Sequence, residues 1–221
     1  MKASYDAIAE TYSAIYTDVD DPIRRDYLGR LVARLRSEGG GGGGGGDTAK
    51  VLELGCGAGI PATKFLLETE KPLFHMTGND ISTAQLELAK SNLAKYTDRL
   101  ALVEGDMLAL EFPPASLDAV TGFYSIVHLP REEQTQLMGK IFEWLRPGGY
   151  FLANFSILTT SNHEEQKWLG HEKGWMFWAG WGEEKSVEMV ENAGLKVEVK
   201  EVKQAENDSA YVWVLARKPA A

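Results

Sequence analysis

The residues that point most directly to chemistry in this chain are three glycines that follow a short apolar run. The segment VLELGCGAG at 51–59 reads as a strand with Glu53 near its end, which passes through Gly55, Gly57 and Gly59 into a predicted helix. Glycines permit a tight turn and a close approach of the backbone to a ligand, and the first turn of a helix offers unpaired N–H groups. The pattern therefore predicts a cofactor-binding loop.

The spacing of these glycines excludes two of the cofactor classes that use a strand, a glycine loop and a helix. A phosphate-binding loop needs Gly-Lys followed by Ser or Thr, and the chain contains no such triplet. A dinucleotide-binding loop needs a glycine at position 60, which is Ile60. The G-x-G-x-G spacing, with an acid upstream, fits neither class.

The elements that must position this loop alternate between short apolar runs and stretches with helical periodicity. Predicted helices cover 3–16, 22–37, 60–69, 82–95, 131–145 and 183–193, and predicted strands cover 50–54, 73–79, 100–104, 118–123, 149–156, 195–203 and 209–217. Such alternation is typical of a parallel α/β sheet. The last two strands, joined by the polar turn QAEND, predict a hairpin.

One domain is the expectation for 221 residues with 44% hydrophobic content. Its predicted parts are N-terminal lid helices (1–37), a poly-glycine loop (39–46), a cofactor-binding core (48–156), an aromatic acceptor-site segment (157–182) and a C-terminal helix with hairpin (183–221). We interpret the glycine run as a flexible, solvent-facing expansion, since loop closure becomes costlier only slowly with length. Shortening it should leave cofactor binding intact.

Six sequence blocks resemble, in their order, the class I S-adenosylmethionine-dependent methyltransferases. They are YDAIAETY, VLELGCGAG, GNDIS with QLELAK, EGDMLALEFPPASLDAV, FYSIVHLPREE and LRPGGYFLANF. The resemblance implies a Rossmann-like α/β fold whose mostly parallel, seven-stranded sheet has the order 3-2-1-4-5-7-6, with the last strand antiparallel and helices on both faces. It also implies S-adenosyl-L-methionine as the cofactor and S-adenosyl-L-homocysteine as the product.

The resemblance places the cofactor contacts at the ends of the first strands. Glu53 and the glycine backbone would hold the methionine end, and Asp106 with Met107 would meet the adenine, although Asp106 could also be an ordinary turn aspartate. Asp80 follows Gly59 by about 21 residues, where a carboxylate can accept hydrogen bonds from both ribose hydroxyls. The predicted cofactor-binding set is Glu53, Gly55, Cys56, Gly57, Gly59, Asp80, Ile81, Gly105, Asp106, Met107, Phe123 and Tyr12.

Cys56, in this set, and Asn79, beside it, need a separate interpretation. We interpret Cys56 as a small packing residue and not as a nucleophile, because no cationic neighbour in the sequence lowers the pKa of its thiol. Asn79 departs from the family, in which an apolar residue usually precedes the acid. It could tune the ribose edge or lie at a wet strand end, and the second is the simpler interpretation.

The acceptor side of the site is predicted from the fourth strand and the aromatic segment. His128 is the histidine placed to take a proton from an acceptor oxygen or nitrogen, and a structural loop role is the alternative. Tyr124 is assigned with it as catalytic. Tyr124, Asn154, Trp175 and Trp178 form the predicted substrate-binding set. Tyr5 or Tyr12 of the lead-in would pack over the cofactor or acceptor.

No metal site is predicted. His163 and His171 flank Glu164 and Glu165, but their spacing matches no compact ligand pattern, and a solvated surface is the better interpretation.

The sequence favours an oxygen or nitrogen atom of a small molecule as the methyl acceptor. The N/D-P-P-Y motif of amino-methylating nucleic-acid enzymes is absent, and one cysteine is too few for an arsenic-type enzyme. A net charge of −9 argues against nucleic acid or an anionic membrane as a partner. The alternatives are a catalytically silent adapter that binds S-adenosylmethionine and, less compatible with the loop, a nicotinamide-dependent oxidoreductase.

The cellular setting follows from composition. No stretch is apolar enough to span a bilayer and the N-terminus lacks a signal-peptide core, so a cytoplasmic monomer or homodimer is expected.

Overall fold

A seven-stranded sheet with helices on both faces organises the chain. The computed structural model describes residues 1–16, 21–37, 47–204 and 209–220. The helices are α1 (Lys2–Tyr16), α2 (Pro22–Ser37), α3 (Ala62–Glu68), α4 (Thr83–Asn92), α5 (Arg131–Trp144) and α6 (Glu183–Asn192). The strands are β1 (Thr48–Leu54), β2 (Leu73–Asp80), β3 (Leu100–Glu104), β4 (Leu117–Gly122), β5 (Leu145–Ser156), β6 (Thr159–Gln166), β7 (Trp175–Trp181), β8 (Lys196–Gln204) and β9 (Ala210–Arg217).

The main sheet has the order β3-β2-β1-β4-β5-β9-β8. Strands β1 to β5 run parallel, and β9 is antiparallel to both β5 and β8. This confirms the predicted fold class and strand order, because β8 and β9 are the sixth and seventh strands of this sheet. The chain reverses its winding direction between β1 and β4, and ligands of open α/β sheets bind at such a crevice.

Alternating side chains divide the core between the two faces of the sheet. Ala49 and Val51 of β1 pack with α2 and α3, whereas Leu52 and Leu54 pack with α5 and α6. A strand buried on both faces reads as a continuous apolar run, which explains why the central strands were recognisable in the sequence.

The structure adds a second sheet that was not predicted. Strands β6 and β7 pair antiparallel, from Thr159 opposite Trp181 to Gln166 opposite Trp175. Residues 157–182, predicted only as an aromatic segment, thus form a hairpin beside the main sheet. Its strand β6 is almost wholly exposed, so the sequence lacks the alternation of apolar and polar residues that would have predicted a strand there.

Some predictions fall on parts of the chain that lie outside the described residues. These are the poly-glycine loop at 39–46 and residues 205–208 of the turn between β8 and β9. Within the described ranges, no helix combines the length and apolarity needed to cross a bilayer.

Candidate functional site

The glycine loop leaves the buried end of β1 through a tightly packed turn. Gly55 and Gly59 have φ angles of 69° and 77°, which favour glycine. A Cβ atom on Gly55 would lie 2.4 Å from Cβ of Ser125, and one on Gly59 would lie 2.5 Å from Cδ1 of Leu93. The loop therefore depends on glycine both for its backbone conformation and for its contacts with the segments after β4 and α4.

Asp80, the last residue of β2, ties this loop to the neighbouring strand. Its Oδ2 accepts a hydrogen bond of 2.8 Å from the N–H of Gly57, and its Oδ1 accepts one of 2.9 Å from the N–H of Ser82. Burial raises the pKa of Asp80, while these two backbone donors act against the rise. The carboxylate thus orders the loop and still lines the adjacent cavity.

A cavity of about 360 Å³ lies beside this loop, where the parallel strands end. Most of the predicted site residues line it: Tyr12, Gly55, Gly57, Asp80, Ile81, Gly105, Asp106, Met107, Phe123, Tyr124, His128 and Trp175. Most of these residues are brought together because they follow β1 to β4 at one edge of the sheet, whereas Tyr12 comes from α1 and Trp175 from β7. The cavity has the mixed apolar and polar walls typical of small-molecule sites.

Glu53, near the end of β1, and two members of the glycine loop, Cys56 and Gly59, are not among the cavity-lining residues. Burial raises the pKa of Glu53 to about 7, against a hydrogen bond from Thr63 and the positive charge of Arg24, which lower it. Burial likewise raises the pKa of the Cys56 thiol, so the residue packs as a neutral side chain.

Asn154 and Trp178 also lie outside the cavity lining. Asn154 is fully buried, and its Oδ1 accepts a hydrogen bond of 2.7 Å from the N–H of Tyr124. Tyr124 has a φ of 54°, a strained value for a non-glycine residue, so this contact holds an unusual turn in place. Trp178 packs between His128 and His163.

His128 is fixed in one orientation by two hydrogen bonds. Its Nδ1 lies 2.7 Å from the carbonyl oxygen of Phe177, which can only accept, so Nδ1 carries the proton. Its Nε2 lies 3.0 Å from the hydroxyl of Tyr5, which donates to the remaining lone pair. Burial lowers the pKa of His128 to about 4 and raises that of Tyr5 well above its usual value, so both groups are neutral near pH 7.

Four aromatic rings, which we call the aromatic cap, join α1 to the β6–β7 hairpin above the cavity. They are Tyr5, Tyr12, Trp168 and Trp178. The centroids of Tyr5 and Tyr12 lie 5.7 Å apart, and Trp168 lies 6.2 Å from Tyr5 and 5.8 Å from Tyr12. Tyr5 and Tyr12 line the cavity from above, whereas Trp168 braces them from the hairpin.

Sequence reasoning missed several lining residues with polar side chains, among them Gln85, Ser125 and Glu133. Gln85 on α4 is 2% exposed, and its Oε1 has no hydrogen-bond partner among the described residues. Glu133 lines the cavity from the first turn of α5. Asn79, the departure from the family pattern, is buried rather than wet, and its amide donates to the carbonyls of Val103 and Gly105.

These residues fit a nucleoside cofactor with a charged tail. The unpartnered Oε1 of Gln85 and the Asp80 carboxylate supply acceptors for ribose hydroxyls, and Asp106 with Met107 supplies an acid and a polarisable side chain for an adenine. Within the described parts of the chain, no three His, Cys, Asp or Glu side chains converge on one point.

Comparisons with known proteins agree with this geometry. The family described as "Methyltransferase domain" matches residues 51–149. The sterol 24-C-methyltransferase of Yarrowia lipolytica is 32% identical over 171 residues, which are 74% of this chain and 43% of that protein. Its counterpart in Clavispora lusitaniae is 31% identical over 130 residues, 57% of this chain and 33% of that protein. The chain thus spans less than half the length of these curated relatives.

A solved structure shares the fold at low sequence identity. It is the 1,6-didemethyltoxoflavin-N1-methyltransferase of Burkholderia thailandensis with bound 1,6-didemethyltoxoflavin and S-adenosylhomocysteine. The TM-score is 0.72 at 17% identity, over 99% of this chain and 87% of the other. With the matched domain and the G-x-G-x-G loop beside Asp80, residues 51–149 form a methyltransferase domain with the class I S-adenosylmethionine-dependent fold.

Proposed function

We propose that this chain transfers a methyl group from S-adenosylmethionine to a nitrogen or oxygen atom of a small acceptor molecule. The observation that carries the proposal is the hydrogen-bonded pair of Tyr5 and His128 at the cavity wall. When bound, S-adenosylmethionine supplies an electrophilic methyl group on a positively charged sulfur. The chain's own residues then have to orient the acceptor, exclude water and receive a proton.

The Tyr5–His128 pair can receive that proton. The Phe177 carbonyl keeps the Nδ1 proton in place, so Nε2 offers its lone pair toward Tyr5. An acceptor O–H or N–H can replace Tyr5 as the donor, or pass its proton to the Tyr5 oxygen while Tyr5 donates to Nε2. A pKa near 4 makes His128 a weak base, so the proton moves as the new bond forms and the acceptor atom becomes acidic.

The charges on the cavity wall favour a neutral or cationic acceptor. Asp80, Asp106 and Glu133 line the cavity, and no Lys or Arg is among the described lining residues. Trp175 and Phe177 add aromatic surface, which suits flat or cationic molecules. We therefore expect small amines and neutral phenols to react in preference to carboxylates.

The test uses S-adenosylmethionine labelled in its methyl group and a panel of amines, phenols, thiols and carboxylates. We expect mass spectrometry to find the label on nitrogen or oxygen, and His128→Ala to lower kcat by about 10² to 10⁴-fold. His75→Ala, an exposed histidine on β2, is the matched control and should retain the wild-type rate. Equal rates for both variants would leave His128 with a structural role only.

Methyl transfer to carbon is the second candidate, favoured by the names of the sterol 24-C-methyltransferase relatives. Methylation of an alkene leaves a carbocation that loses its proton only after the C–C bond has formed, so the rate of His128→Ala does not by itself separate this reaction from methyl transfer to nitrogen or oxygen. A sterol therefore belongs in the same panel, and locating the new methyl group by NMR separates the two reactions. A silent adapter has no support in the comparisons, since the matched domain and these relatives are named as methyltransferases.

A further inference from the structure

Glu133, in the first turn of α5, lines the cavity with a carboxylate that the described protein leaves unused. Among the described residues, its side chain takes part in no hydrogen bond or ion pair. Arg131, a cation of the same helix turn, is engaged elsewhere: its Nε donates a 3.0 Å hydrogen bond to the carbonyl oxygen of Gly180, and its guanidinium carbon lies 5.0 Å from the ring centroid of Trp181. Glu133 is half-buried, whereas Glu132 beside it is exposed and is not among the lining residues.

Two aromatic residues of β7 line the cavity next to the start of α5. Trp175 and Phe177 alternate along the strand, so both face the cavity, while Met176 between them is buried on the other side. The first turn of α5 is fixed to this strand, because Nε2 of Gln134 donates a 3.0 Å hydrogen bond to the carbonyl oxygen of Ala179. The helix and the strand thus place a carboxylate and two aromatic rings around the same part of the cavity.

This part of the cavity suits a positively charged group. Ammonium ions bind to carboxylates and to the faces of aromatic rings, and both attractions are stronger where water is excluded. No Lys or Arg side chain is among the described lining residues to compete for Glu133. The α-amino group of Met1, another lining residue, forms no ion pair with Glu133 in the described protein, and its charge acts on His128. A cationic group of a ligand is therefore better accommodated beside Glu133 than beside His128.

We propose that Glu133, with the faces of Trp175 and Phe177, binds an ammonium group of the methyl acceptor. The inference rests on the proposed function and narrows its substrate class. A protonated amine has no lone pair and cannot attack the methyl group, so the bound ammonium is a different group from the atom that is methylated near Tyr5 and His128. The acceptor is thus a small molecule with a nucleophilic oxygen or neutral nitrogen at one end and an ammonium group at the other.

The test compares acceptors that differ only in the ammonium group. Tyramine with para-propylphenol forms one pair, and para-(aminoethyl)aniline with para-propylaniline forms the other; all are assayed at about pH 7, where alkyl amines are protonated. We expect wild type to show a kcat/KM about tenfold or more higher for the ammonium member of at least one pair, and Glu133→Gln to lose most of this preference through KM, because a charged hydrogen bond contributes on this scale. Glu132→Gln removes an exposed acid from the same helix turn and is the matched control, which should keep the wild-type preference within about twofold.

The outcomes are separable. A wild type without the ammonium preference, or a preference that survives in Glu133→Gln, would overturn the inference. Equal losses for both members of a pair in Glu133→Gln would reveal a general structural effect and overturn it as well. Trp175→Leu keeps an apolar side chain but removes the ring, so it should reduce the preference severalfold, and an unchanged preference would overturn the part assigned to that ring. If wild type methylates no acceptor, the proposed function fails together with this inference; if it methylates other acceptors but neither ammonium member, the inference fails alone.

Discussion

At the scale of single residues, Asp80 has two tasks that the same carboxylate can perform. It accepts hydrogen bonds from the N–H groups of Gly57 and Ser82, and it lines the cavity where a ribose is expected. Asp80→Ala should weaken S-adenosylhomocysteine binding by about 1 to 3 kcal/mol, because it removes a buried acceptor. Calorimetry measures this, with Asp98→Ala as an exposed control; unchanged affinity in Asp80→Ala would contradict the ribose assignment.

How far the site could be predicted depends on the kind of residue. Residues at or just after strand ends, such as Gly55 and Asp80, can be predicted as site residues from their positions alone, since a parallel sheet gathers strand ends at one edge. Gln85 and Glu133 lie in the first turns of α4 and α5. Glutamine and glutamate at such positions are usually solvated, so the sequence gives no sign that these two line a cavity.

At the scale of elements, α1 is attached to the molecule by polar and aromatic contacts beside its buried Ile8 and Ala9. Asp6 accepts hydrogen bonds from the hydroxyl of Ser82, at 2.8 Å, and from the N–H of Ala84, at 3.2 Å, at the start of α4. Ser4 accepts one of 2.8 Å from the N–H of Trp175. An element held this way can open locally without unfolding the sheet.

The prediction at this scale concerns that local opening. Asp6→Ala removes both acceptor bonds to α4, so amide hydrogens of α1 should exchange at least severalfold faster, while those of β1 and β4 keep their protection. Hydrogen exchange with mass spectrometry measures this. Glu10→Ala, an exposed residue of the same helix, serves as the control. Unchanged exchange in α1, or faster exchange throughout the sheet, would refute the local attachment described here.

The elements themselves were largely predictable from the pattern of apolar residues. Helices α2 and α5 and the buried strands of the main sheet have the expected bounds within a few residues, because each buries an apolar face or run. The pair β6–β7 was not predicted. Its outer strand TTSNHEEQ is polar on both faces and is held by pairing with β7, whose apolar residues pack against the molecule.

At the scale of the whole molecule, the half-buried His128 and the buried Glu53 affect the free energy of unfolding in opposite directions as pH changes. The pKa of His128 is lowered to about 4 by burial, so the unfolded chain takes up a proton first and stability falls as pH drops below about 6.5. The pKa of Glu53 is raised to about 7, so the unfolded chain loses its proton first and stability falls as pH rises from about 4.5 toward 7. Near pH 5 to 6 the two effects oppose each other in the wild type.

Removing one group at a time should separate these effects in the cofactor-free protein. Relative to His128→Gln, the wild type should lose about 2 kcal/mol of unfolding free energy between pH 7.5 and pH 5, because only its unfolded chain gains a proton at position 128. Relative to Glu53→Gln, the wild type should gain a similar amount over the same interval. Urea unfolding at the two pH values gives both differences, and each variant serves as the control for the other. Because acidic residues elsewhere titrate equally in all three proteins, two differences of the same sign would contradict the neutral form of His128 or that of Glu53 in the folded protein.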